Sequence, residues 1–396
     1  DENGGVAVIT ATISAVQSND VTIPLTLTGT STEDLDYSTN FSSKGSVTTV
    51  AGDGSYGSSL SNLHNPKGVF VDSSGNIFIA EDSNSRVTKW NPGASEGVVV
   101  AGGNGYGSAS NQLKDPYAVN VDSLGNIYIV DRENHRVMKW EPEANEGAVV
   151  CGTGTSGSTN SQLSYPEGIY VDSSGNIYVA DKGNHRVMKW DSGSSSGTIV
   201  AGGNGAGSET NQLSSPRGIH VDSSENIYIS DSNNNRIMKW VSGASEGSVA
   251  AGGNGEGSGL NQLYDPRGIN VDSDGNIYLA DFDNYRVSKW VPGASQGILV
   301  AGGNGQGSAS NQFYYPYSVY ERGGYLYVAD AGNHRIQKVQ IAAQITIPAG
   351  STTGTFTFTG IQDSNNEDDE TIIVTPSTSP TNATSSISDA ITVTIV

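Results

Sequence analysis

With 396 residues the chain is long enough for two domains. A formal net charge of −21, from 20 Lys plus Arg against 41 Asp plus Glu, argues against a nucleic-acid partner, which needs a face of clustered basic residues. The single cysteine rules out an internal disulfide framework, and neither a signal peptide nor a transmembrane run is present, so a processed or trimmed form is expected.

In chain order, residues 1–45 carry two alternating apolar/polar runs, 6–14 and 21–28, and then an acidic stretch at 31–37. Alternation of this kind reads as strand. At residue 46 the pattern changes. The segment 66–90, PKGVFVDSSGNIFIAEDSNSRVTKW, recurs at a step of 50 residues. Its proline returns at Pro116, Pro166, Pro216, Pro266 and Pro316, and its tryptophan at Trp140, Trp190, Trp240 and Trp290, with Val339 in the sixth place. A period of this size dictates architecture before any local detail does.

Within one copy, 168–172 is a short strand, 173–175 turns, 176–181 is a second strand, Asn184 and His185 turn again, 186–190 is a third strand, and 197–202 is a fourth. Short β-branched and aromatic runs divided by Gly, Asp, Asn and Ser are hairpin signals, and no useful helical period appears. A four-stranded sheet with two apolar faces cannot bury both alone. Packing several sheets radially solves this, so six copies predict a six-bladed β-propeller. The segment 46–52 matches later fourth strands, while the last copy stops after three strands at 317–339. The N-terminal strand is therefore expected to complete the sixth blade and remove an exposed edge. Beyond the repeats, further strand patterns follow at 345–358, 372–375 and 391–396, with an acidic run at 363–371.

The copies resemble NHL repeats. The resemblance rests on Asp-Lys-Gly-Asn-His-Arg-Val at 181–187, Asp-Arg-Glu-Asn-His-Arg-Val at 131–137 and the Pro-x-Gly-Ile-x-Val-Asp opening, and it covers 46–339. The flanks together resemble a Calx-beta domain cut open between Tyr37 and Ile345, through Asp36-Tyr37, the Ile-Thr-Ile-Pro-Ala-Gly strand at 345–350, and the Asp363, Glu367, Glu370-Thr371 loop. The expected fold is all-β: a six-bladed, four-stranded propeller at 46–339, inserted in an immunoglobulin-like Calx-beta β-sandwich made of 1–45 and 340–396. The propeller's two ends lie in one blade, which makes such an insertion easy. On this geometry the sandwich should hang from one face of the ring and leave the other open.

The Calx-beta resemblance implies calcium, held by Glu2, Asp36, Asp363, Glu367 and Glu370 with the Asn365 carbonyl joining, a hard oxygen set that suits the ion. The acidic residues that usually follow the last strand are absent, which takes away part of that site. The strand that usually precedes the Glu2 position has no room either. An unpaired groove filled by another copy's strand would propagate a filament, so self-association or a surface layer is the alternative expectation. Sequons at Asn40 and Asn382 have meaning only in a glycosylating host.

Two variable columns point to the open face. The residues after each repeat proline are Lys67, Tyr117, Glu167, Arg217, Arg267 and Tyr317; those after the second-strand acid are Asp82, Arg132, Lys182, Ser232, Phe282 and Ala331. Basic and aromatic residues gather there in a strongly negative chain. Lys67, Tyr117, Arg132, Lys182, Arg217, Arg267, Phe282 and Tyr317 are therefore the candidate ligand-binding set, for a protein or glycan ligand of acidic character. Other motifs read as structure: the acid–arginine pairs repeated in every copy as turn braces, the Gly-Gly-Asn-Gly loops as turns without a following helix, the 272–276 segment as a hairpin turn, and Cys151 as a small core filler.

The peptide-amidating lyase, a zinc enzyme, resembles this scaffold. Of the five histidines here, His135, His185 and His334 occupy a turn slot that Asn235 and Tyr285 fill elsewhere, His64 lies in a loop and His220 alone sits on an inner strand, so three imidazoles do not converge on one zinc. No nucleophile–His–acid set is suggested. The expected protein is a non-enzymatic, extracellular or cell-surface binding and scaffold protein of the adhesion type, with the propeller as its platform.

Overall fold

The β-branched and aromatic runs do become strands, and the Gly, Asp and Asn clusters between them become turns. The computed structural model describes residues 47–341 and, in the flanks, the strands Val6–Thr12, Val21–Gly29, Ala343–Ile347, Thr353–Thr359, Ile372–Pro376 and Thr392–Ile395. Residues 47–322 and 326–339 form one compact unit; 1–46, 323–325 and 340–396 form another.

The first unit holds six antiparallel sheets of four strands each among the described residues. The third blade is representative: Ile169–Val171, Ile177–Asp181, Arg186–Trp190 and Thr198–Gly202, paired in that order. The sixth takes its outer strand from the start of the repeat region: Val47–Ala51 runs antiparallel to Arg335–Gln340, with Val47 opposite Val339 and Ala51 opposite Ile336. The expected clasp is present.

Every third-to-fourth pairing shifts register at one point, between Val187 and Met188 in the third blade. One extra residue at such a point increases local twist, which the ring needs. The core lies between blades rather than within them. Trp240, 1% exposed, packs with Ile229 and Met238 of its own blade and with Tyr178, Val187 and Ala201 of the blade before it. Burying a large apolar side chain is worth roughly 1.5–3 kcal/mol, and clusters of the same kind join the first blade to the second, the second to the third and the fourth to the fifth.

One local feature departs from the sequence reading. Between the second and third strands of blades two to six lies a single 3-10 turn, such as Lys182–Asn184, closed by His185 at φ 53. The pattern reads as a turn around Asn184 and His185 without its type, because a three-residue turn is too short to show a period.

In the flanks, Val6–Thr12 pairs with Thr353–Thr359 on one side and Thr392–Ile395 on the other, while Val21–Gly29 pairs with Ala343–Ile347 and Ile372–Pro376. A strand from the beginning of the chain is thus the middle strand of each of these two three-stranded sheets. The calcium candidates Glu2, Asp36, Asp363, Glu367 and Glu370, with Asn365, the sequons at Asn40 and Asn382, and the expected groove beside the leading strand lie outside the described residues.

Candidate binding site at the propeller mouth

Two backbone devices carry the variable columns to one rim. The first strand begins at the repeat proline in every blade but the third, where it starts at Ile169, and the residue before each proline is left-handed: Tyr165 has φ 47 and Ser215 φ 54. In blades two to six the second strand ends in the 3-10 turn, whose first residue is the second column; in the first blade Asp82 opens an ordinary turn. The slot residue that closes that turn reaches the next blade. The Nδ1 of His185 accepts the Ser215 N–H at 3.1 Å, His135 accepts from Tyr165, and the Asn235 carbonyl oxygen accepts from Asp265. A ring nitrogen that accepts is unprotonated, so these imidazoles are neutral braces between blades. One step into the first strand the residues are small. A Cβ on Gly68 would stand 2.8 Å from the Ala118 Cα, so small residues let neighbouring inner strands close around the axis.

The structure brings the eight candidate side chains together, and the residue they surround is Glu167, which sequence reasoning passed over. Only 4% exposed, Glu167 accepts from Lys182 Nζ at 2.7 Å, Arg217 Nη1 at 2.9 Å, Tyr317 Oη at 3.2 Å and Arg132 Nε at 3.3 Å. These partners come from four different blades. The signal in the sequence was its being the one acid in a basic and aromatic column. Around this hub the rings pack against cations. Lys67 Nζ lies 4.4 Å from the Tyr317 ring centroid, the Arg132 guanidinium 4.8 Å from that of Tyr117, and the Arg267 guanidinium is held over both Phe282 and Tyr317.

Burial favours the neutral form of Glu167, but the Arg217 and Lys182 charges overcome it and hold the carboxyl below the usual carboxylate range. Arg217 is raised: burial opposes its charge, and Glu167 outweighs it. Lys67 is the exception among the cations. Burial pushes its ammonium down to about 8, and its nearest carboxylate, Asp82, stands 3.8 Å away, already bonded by the Asn65 amide. The Nε of Arg217 faces Asp265 Oδ1 at 3.4 Å without hydrogen-bond geometry, and both atoms are buried with no partner. The rim thus holds cations with unused capacity for an anion.

Below the rim a cavity of about 600 Å³ follows the inner strands, lined at its outer end by Lys67, Tyr117, Glu167, Arg217, Arg267 and Tyr317. Deeper in, a second variable column lines it: Phe70, Asn120, Tyr170, His220, Asn270 and Tyr320. Burial lowers His220 to about 4 and keeps its ring neutral at ordinary pH.

The remaining motifs resolve as structure. Each acid–arginine pair is a buried brace, Arg186 Nε standing 2.7 Å from Asp181 Oδ2 while its η nitrogens hold the carbonyls of Ser158, Thr159 and Gln162. Asp272 Oδ1 accepts the backbone N–H groups of Asp274 and Asn276, a hairpin turn. Cys151 is buried among apolar neighbours, which pushes its thiol up. Among the described residues no group of three or more His, Cys, Asp or Glu is placed to hold a metal ion, and no helix is long and apolar enough to cross a membrane.

The NHL repeat pattern matches residues 163–190, 213–240 and 263–290, the third, fourth and fifth copies. The propeller is built of NHL repeats. Among solved structures the NHL propeller is similar to a protein of unknown function from Bacteroides thetaiotaomicron, at 19% identity over 74% of this chain and 75% of that one, with a TM-score of 0.58. An auxiliary nutrient binding protein from the same organism matches at 14% identity over 74% and 75%, TM-score 0.55. A gluconolactonase from Xanthomonas campestris matches at 11% identity over 83% and 99%, TM-score 0.56. No curated protein matches. At these identities the likeness is one of fold, and the fold serves a binding protein and an enzyme alike.

Proposed function

We propose that this NHL propeller is a non-enzymatic binding platform whose mouth takes an anionic group carried by an acidic ligand. The observation that supports the reading is Lys67. Its ammonium is side-chain buried to 12% exposure, sits over an aromatic ring, and has no carboxylate within hydrogen-bonding distance. A buried cation whose one ion pair, to Asp82, is as long as 3.8 Å is incompletely compensated, and an incoming carboxylate would offset that cost. Arg217 and Arg267 flank it, and Tyr117, Tyr317 and Phe282 supply apolar faces beside the charge. The test is equilibrium titration of the full chain with pentaglutamate, short uronate oligosaccharides and pentalysine. An anion should bind and pentalysine should not, and Lys67→Met should weaken the anion at least about tenfold. No anion binding, or equal binding by the variant, would overturn the reading.

An extracellular or cell-surface setting accords with the acidic, Ser- and Gly-rich composition. The flanking unit is read as a split Calx-beta-like sandwich, supported by the sheets that strands from both ends of the chain share. Calcium at Glu2, Asp36, Asp363, Glu367 and Glu370 belongs to the same proposal, and a melting temperature unmoved by added calcium counts against it.

A further inference from the structure

The second ring of variable residues has an order that the mouth does not explain. Taken around the axis from the sixth blade, it reads Tyr320, Phe70, Asn120, Tyr170, His220, Asn270. Tyr320 and Phe70 form one aromatic pair, with ring centroids 4.7 Å apart; Tyr170 and His220 form another, at 5.1 Å. In a six-membered ring these pairs stand across the channel from each other. The two asparagines, on the second and fifth blades, close the gaps at opposite ends. The result is a slot with two aromatic walls and an amide at each end.

Asn120 is 9% exposed and Asn270 8% exposed, both line the cavity, and neither side-chain amide has a hydrogen-bond partner among the described residues. Their amide atoms are open to the cavity and not sealed in the core, so both stand free to bond a ligand or water there. Each offers two N–H donors and a carbonyl acceptor, the set that pairs with adjacent hydroxyl groups. Aromatic faces receive flat apolar surfaces such as the C–H face of a pyranose. None of the six ring residues is a carboxylate and the imidazole is neutral, while Asp122 and Asp172 line the same cavity and can accept further hydroxyl groups, so the chemistry is that of a polyhydroxylated ring. The cavity of about 600 Å³ lies within the usual range for small-molecule sites, roughly 300–1,000 Å³.

We infer that the channel is a sugar subsite, in which a pyranose sits between the Tyr320–Phe70 and Tyr170–His220 walls with its hydroxyls on Asn120 and Asn270, so that the anionic ligand of the mouth is an acidic glycan. The inference rests on the mouth reading, because Lys67, Arg217 and Arg267 line the outer end of the same cavity and would hold the carboxylate of a uronate.

Calorimetric titration of the full chain with short oligomers of glucuronate, galacturonate and mannuronate, and separately with pentaglutamate, tests both levels. At least one uronate oligomer should bind. The double variant Asn120→Leu, Asn270→Leu should weaken that sugar at least about tenfold, as expected for losing several hydrogen bonds, and should leave the thermal midpoint near that of the parent. Tyr320→Leu should weaken the sugar as well, and it carries the channel test alone if the double variant does not fold. Lys67→Met should weaken every anion. If pentaglutamate binds through Lys67 while no uronate binds, the sugar subsite is wrong and the anionic mouth stands. If a uronate binds but ignores Asn120, Asn270 and Tyr320, the sugar rests on the mouth alone and the channel assignment falls. If no anion binds, both levels fall.

Discussion

The propeller buries carboxylates in two ways. Asp181 meets one cation, Arg186, within its own blade, and burial raises its carboxyl despite that partner. Glu167 is buried to a similar degree but meets Lys182, Arg217 and Arg132 from three blades, and its carboxyl is lowered. The first arrangement is copied in each of the six blades, with Nε-to-carboxylate distances of 2.7–2.9 Å. The second exists once. A brace must be repeated because every blade has its own connecting loop to hold, and the arginine's remaining donors go to that loop's carbonyls. A hub needs no copies, and it collects more positive charge than it neutralises. The difference separates groups that hold the ring together from groups available to something outside it.

Substitutions sharpen this contrast. The largest effect is expected for Arg186→Ala, which strands Asp181 and leaves three loop carbonyls without their donor. Breaking a buried pair from one side costs about 3–5 kcal/mol, so the denaturation midpoint should fall steeply while anion affinity in the folded protein is unchanged. An unmoved midpoint would mean the brace is idle. Glu167→Gln keeps the shape and removes the charge. It should cost roughly 1.5–3 kcal/mol, the worth of hydrogen bonds to a charged group, and it should also tighten anion binding, whereas Asp181→Asn should change stability alone. Equal binding by both variants would erase the distinction.

Lys67 gives the contrast a pH dependence. Its folded pKa, about 8, lies below the ordinary 10.5. The unfolded chain therefore holds the proton more tightly, and stability rises with pH between about 8 and 10.5. Anion affinity runs the other way and falls as pH climbs through about 8, because the ammonium is lost. Lys67→Met should flatten both profiles, and a parent titration that stays flat from pH about 7 to 10 would contradict the assignment. The smallest effects belong to the inter-blade slot. His185→Ala leaves the Ser215 N–H without its acceptor, for about 1 kcal/mol, while His185→Asn should stay within about 0.5 kcal/mol, since Asn235 makes the same bond one blade on. A large loss in the Asn variant would show that the imidazole does something more.

Much of this was legible in the chain because repetition makes one copy annotate the others. The 50-residue step, the missing fourth strand after Val339 and the surplus one at 46–52 together specify the clasp. The same alignment delivers the mouth, since residues that follow an invariant proline or acid occupy one level of the ring. Two features were not legible. Glu167 aligns with Lys67 and Arg217, and nothing in a column states which members face one another across the axis. Asn120 and Asn270 look like ordinary strand residues until the ring closes and places them on opposite sides of the cavity, without partners. Repeat period, strand alternation and turn chemistry are local and act through neighbouring residues, so the sequence by itself determined the blades, their number and their closure. Which side chains share an electrostatic field or a cavity depends on distances between residues on different blades, up to 250 positions apart for Phe70 and Tyr320, and only the closed ring decided those.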